Sequence, residues 1–172
     1  MPTPTGQYEQ VAGRPVVRFE RTFPHPPAAV WEAVTHPAQL QKWFPTTVEF
    51  AELRPGAAID FRFAQDAYPP MQGFFREVDE PRRLVFTWGD DVLTFELSEE
   101  GDGEACRLAF SVVLDDAGKA ARDSAGWESC LDMLALAAAG ETPERPAGSG
   151  AWDEYYEHYR EAGFPATAEI PQ

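Results

Sequence analysis

Lysine is almost missing from this chain of 172 residues: Lys42 and Lys119 are the whole complement, and the other basic residues are arginines. With many alanines and prolines, this composition suits a GC-rich bacterial genome, which bears on origin and not on chemistry. Positive charge is scarce altogether, with 14 Lys and Arg against 29 Asp and Glu and a formal net charge of -15. A surface this acidic repels phosphate backbones and anionic headgroups, so nucleic acid and membrane are excluded as expected partners. The acidic residues run from Glu9 to Glu169 rather than gathering in a tail, the pattern of a solvated face. Long apolar runs are missing too, and MPTPTGQYEQ has neither a basic n-region nor an apolar h-region, so a cytoplasmic protein is expected.

Cysteine is rare. Cys106 and Cys130 fit no metal spacing, and we expect two packed, unbridged thiols. The three histidines are His25, His36 and His158, and two precede proline, a device for approaching a helix. The chain lacks a glycine-rich phosphate loop, a Gly-x-Ser-x-Gly elbow, a His-Glu-x-x-His and a Cys-x-x-Cys, so neither cofactor nor metal is expected. Asp79-Glu80 and Glu99-Glu100-Asp102 are explained by hairpin turns rather than by calcium.

What remains is a size and balance suited to one domain, 44% hydrophobic and 25% charged. Residues 1–15 are polar and read as a loose arm. VVRFERTF alternates, placing Val17, Phe19 and Phe23 on one face of a strand. Helices are expected at about 27–35 and 37–43, broken by His36-Pro37 and closed by Pro45. From Thr46 to Leu114, strand follows strand across short Gly, Asp and Pro turns, which predicts a six-stranded antiparallel meander.

Its faces alternate. Ile59, Phe61 and Phe63 share one side, as do Leu84, Phe86 and Trp88, then Leu93, Phe95 and Leu97, then Leu108, Phe110 and Val112. A long helix with Trp127, Leu131, Leu134 and Ala138 on one stripe should cover this aromatic face, stopping at Gly140. Strand, two helices, meander and long helix make an α+β domain over 16–140. A linker at 141–150 follows, then an amphipathic helix at 151–164. Its stripe of Trp152, Tyr155, Tyr156 and Tyr159 either docks on the domain or meets a partner, a homodimer included.

Three segments in this order resemble the START-like (SRPBCC) superfamily, in its branch of homologues of the activator of heat-shock protein 90 ATPase. They are PAAVWEAVTHPAQLQKWF with Trp31 and Trp43, GFFREVDEPRRLVFTW at 73–88, and GWESCLDML at 126–134. The resemblance implies the helix-grip fold, a curved antiparallel sheet of about seven strands wrapped around a long C-terminal helix with a cavity between them. Relatives of that fold include lipid and hormone binders and polyketide cyclases, so it implies where a ligand goes and not which one.

The expected function is binding of a small apolar, aromatic-like molecule in that cavity. The contact set is drawn from Trp43, Phe61, Phe63, Phe75, Glu77, Phe86, Trp88, Phe95, Trp127, Leu131 and Leu134. Alternation places Glu77 with Phe75 and Arg76 with Phe74 and Val78, so one ionisable group points inward unless a bulge turns both to solvent. A desolvated Glu77 would serve as base or anchor, the basis of an alternative cyclase or dehydratase reading. Arg21, on the face of Phe19 and Phe23, either reaches solvent or pairs with an acidic neighbour. An interaction role of the co-chaperone kind is the third reading. It would require an exposed apolar patch.

Overall fold

A computed structural model of the chain describes residues 4–143 and 150–170. Within them, one open antiparallel sheet contains β1 (Gln7–Val11), β2 (Arg14–Phe23), β3 (Thr47–Glu49), β4 (Ala58–Arg62), β5 (Met71–Asp79), β6 (Arg83–Trp88), β7 (Asp91–Glu100) and β8 (Ala105–Val113). The helices are α1 (Pro27–Thr35), α2 (Pro37–Trp43), α3 (Ala120–Ala138) and α4 (Gly150–Glu161). The meander runs β3 to β8 in sequence order; β2 then lies beside β8, and β1 beside β2. This is the α+β helix-grip arrangement, with eight strands in place of about seven.

The added strand corrects the reading of the arm over residues 7–15, which pair in the sheet rather than lying loose. Ala12 and Gly13 both take positive φ, 52° and 78°, and so close a two-residue hairpin that sets Val11 opposite Arg14. That backbone twist matches the twist of paired strands. The expected linker at 141–150 lies outside the described residues over 144–149.

Helix boundaries follow from local chemistry. Pro27 starts α1 where its missing N–H costs nothing, and Pro37 does the same for α2. His36 between them is extended, and its Nδ1 accepts from the Ala38 N–H at 3.2 Å, capping α2. At α3 the first turn is completed from afar: the Pro165 carbonyl accepts from the Ala121 N–H at 3.0 Å, and the Ala168 N–H donates to the Gly118 carbonyl at 3.1 Å.

A row of rings crosses the sheet beneath α3. Phe19 and Phe110 stack at 6.0 Å, Phe110 and Phe95 at 4.6 Å, Phe95 and Phe86 at 5.9 Å, and Phe86 and Phe61 at 6.2 Å. Trp127 of α3 sets its edge against Phe110 at 5.1 Å. Such pairs contribute about 0.5–1.5 kcal/mol each beyond the area they bury, so the row specifies how helix and sheet meet. α4 packs on α3, burying Tyr155 and Tyr159 completely. Trp152 and Tyr156 remain half-buried and stack on each other at 4.9 Å.

Candidate functional site

The aromatic face is closed over most of its area. Trp43, Phe61, Phe75, Phe86, Phe95, Leu131 and Leu134 are all buried in one continuous core. Phe44, which the sequence pattern missed because it follows α2 outside any alternation, fills the remaining space. Its ring contacts those of Trp43, Phe61, Phe86, Trp88 and Trp127 at 5.4–6.2 Å. The expected deep cavity is therefore occupied by the protein's own rings, as close packing of so many aromatics requires. None of those seven lines the cavity beside Trp88 and Trp127.

At the helix-sheet seam, open space lies at one end. A cavity of about 720 Å³ opens between the first turns of α3, the β6–β7 turn and the segment before β5. Phe63, Trp88 and Trp127 of the expected set line it, joined by Tyr68, Met71 and Trp152. Trp88 meets Trp127 edge-on at 5.4 Å, and Phe63 meets Tyr68 edge-on at 5.0 Å. Trp88 Nε1 donates to Thr46 Oγ1 at 3.3 Å, which fixes its ring plane. Gly126 keeps the α3 wall bare; a Cβ there would have Trp152 Nε1 as its nearest neighbour, at 4.0 Å.

Glu77 is not part of this site. The register shifts between Phe75 and Glu77, a bulge that turns both Arg76 and Glu77 to solvent, and Glu77 pairs with Arg83 at 2.7 Å. Arg21 also takes the structural outcome. Its guanidinium donates to Glu128 Oε2 at 2.9 Å and to Asp132 Oδ1 at 2.8 Å, tying β2 to α3. Burial pushes the Glu128 carboxyl up despite that partner.

A polar wall was overlooked in the sequence. Asp91 begins β7 and is 2% exposed. Its Oδ1 accepts from Lys119 Nζ at 3.1 Å and from the Asp115 N–H at 3.0 Å, and its Oδ2 accepts from Lys119 at 3.2 Å. Lys119 also donates to Asp115 Oδ1 at 2.6 Å and lies 3.8 Å from Asp123. All four side chains border the cavity. Burial pushes the Asp91 carboxyl up to about 6, opposed by Lys119 and the Asp115 N–H. Burial works against the Lys119 charge, yet its carboxylates hold its pKa above the usual value. The signal was present: Asp91 stands two residues before Leu93 and four before Phe95, on their inward face. The Gly89-Asp90-Asp91 run reads first as a turn.

Cys106 and Cys130 are buried and not joined in a disulfide, with Cys130 at the cavity edge. Among the described residues no group of His, Cys, Asp or Glu is arranged to hold a metal ion, and no helix is long and apolar enough to cross a membrane.

Comparison with known proteins agrees with this architecture. Residues 24–139 match the family described as Activator of Hsp90 ATPase homolog 1-like protein, and the chain belongs to that family. A conserved protein of unknown function from Enterococcus faecalis superposes with a TM-score of 0.74 at 23% identity, covering 91% of this chain and 89% of the other. CalU16 from Micromonospora echinospora gives 0.70 at 22% identity, covering 91% and 94%. A protein from Bordetella parapertussis gives 0.65 at 22% identity, covering 98% and 96%. These likenesses show the fold. No curated protein matches the chain.

Proposed function

We propose that this member of the Activator of Hsp90 ATPase homolog 1-like family binds a small, largely apolar molecule with aromatic character in the cavity walled by Trp88 and Trp127. START-like proteins commonly hold hydrophobic ligands. One observation supports the reading here: a cavity of about 720 Å³ whose walls carry Phe63, Tyr68, Trp88, Trp127 and Trp152, while the rest of the aromatic face is packed shut. The volume lies within the range of pockets that enclose drug-sized molecules, and the few polar groups at one end would orient an occupant. Binding would alter the emission of the three tryptophans at the wall. A panel of fused-ring aromatic compounds titrated against the protein should quench or shift that emission and raise the melting temperature. Neither response with any compound would remove the reading.

Asp91 and Lys119 favour a second reading. A carboxyl raised towards neutrality beside an ammonium, both facing one cavity, can accept and return a proton. A turned-over ligand would appear as a new mass after incubation, and Asp91→Asn should abolish conversion while retaining binding. An interaction role draws less support, since the exposed large apolar side chains Val11, Tyr68, Phe74, Leu136 and Ile170 stand on different segments.

A further inference from the structure

The charge on the cavity wall selects among ligands, given the binding reading above. Asp90, Asp91, Asp115 and Asp123 border the cavity, against Lys119 and Arg122. Both cations are already engaged by the protein. Lys119 Nζ is held by Asp91 and Asp115 and lies 3.8 Å from Asp123, so its charge is already matched by the chain's own carboxylates. Arg122 Nε donates to Asp123 Oδ1 at 2.9 Å, and its Nη1 donates to the Glu169 carbonyl at 3.1 Å. The carboxylates outnumber the cations, and exposed Asp90 at the rim has no ion pair among the described residues.

The apolar walls point the same way. The faces of indole and phenyl rings carry negative potential, so a cation near Trp88, Trp127 or Phe63 is attracted where an anion is repelled. The chain's net charge of -15 adds a long-range field of the same sign. We infer that the occupant of this cavity is a hydrophobic organic cation: an amine or quaternary ammonium carried on an aromatic or alkyl body, its charge beside Asp90 and its body against Trp88 and Trp127.

Three probes of one shape test this: a naphthylmethyl trimethylammonium, the uncharged naphthylmethyl alcohol and naphthoate, each titrated by calorimetry at a pH of about 7.5. The cation should bind about tenfold more tightly than the alcohol, and naphthoate more weakly than either. Raising salt from about 0.05 M to about 0.5 M should narrow the gap. Asp90→Asn, a change at an exposed position, should reduce cation affinity and leave that of the alcohol unchanged. Gly126→Leu places a side chain in the cavity and should abolish binding of cation and alcohol alike.

Equal or tighter binding of the alcohol would overturn the charge preference while leaving the cavity as a ligand site. Cation binding that persists in a folded Gly126→Leu protein would also overturn it, by locating the cation on the outer acidic surface. If none of the three probes binds, the binding reading fails and takes this inference with it.

Discussion

The Tyr155 hydroxyl donates to Asp132 Oδ2 at 2.8 Å, and the other oxygen of that carboxylate accepts from Arg21 at 2.8 Å. One carboxylate on α3 thus holds both the terminal helix α4 and strand β2. Beside it the Tyr159 hydroxyl accepts from the Gly6 N–H at 2.8 Å, so the segment before β1 joins the same buried knot.

Removing both charges of the buried pair Arg21 and Glu128 should cost less than the two single removals added together. Arg21→Leu leaves Glu128, fully buried, without its partner, and we expect a loss of about 3–5 kcal/mol in denaturant unfolding. Arg21→Leu with Glu128→Leu should lose clearly less than the two single losses combined. Strict additivity would show that the two groups do not sense each other.

Truncation after Gly140 should lower the melting temperature. It removes Tyr155 and Tyr159 from the core, and with them the Pro165 carbonyl that satisfies the Ala121 N–H. Calorimetry with light scattering would measure it, and a change of mass would reveal an assembly role instead. Unchanged stability with unchanged mass would show that α4 contributes nothing.

Phe95 and Trp88 should separate core from cavity wall. Phe95 is fully buried and stacked on Phe110 and Phe86, so Phe95→Ala should lose about 3–5 kcal/mol. Trp88 is half-buried at the cavity, so Trp88→Ala should lose less and weaken ligand uptake. A larger stability loss at Trp88 than at Phe95 would reverse the assignment.

Asp91 should leave a mark on the pH profile of stability. A carboxyl raised on folding to about 6 binds its proton more readily in the folded state. Its contribution is therefore fully present below the unfolded carboxyl range near pH 4 and is lost as pH rises through about 6. Asp91→Asn removes that loss, so the melting temperature of the variant minus that of the parent should climb between those pH values. A flat difference would mean that the Asp91 carboxyl titrates normally.

Much of the fold was legible because its signals are local. Proline at the start of α1 and α2, with His36 between them, marks two helices at their true limits, and period-two alternation marks the meander. β1 was not legible, since QYEQV is an edge strand with one side chain half-buried and the rest exposed, leaving no apolar rhythm. The site was less readable than the fold. Alternation tells which residues face inward but not how completely their rings fill the space, and Phe44 decides that from outside the pattern. Asp91 and Lys119 are joined across 28 positions by tertiary structure, and neither carries a motif.

The place of β2 beside β8 has a consequence for how the chain acquires its shape. Phe19 faces Phe110 across that pairing, so the first hairpin finds its neighbour only after the intervening meander exists. Contacts this distant in sequence must close a long loop before they gain anything, which places folding in the slow, millisecond-to-second class of sheet proteins. On a growing chain the hairpin of β1 and β2 emerges before the meander and waits with Val17, Phe19 and Phe23 uncovered, an interval open to association with other chains.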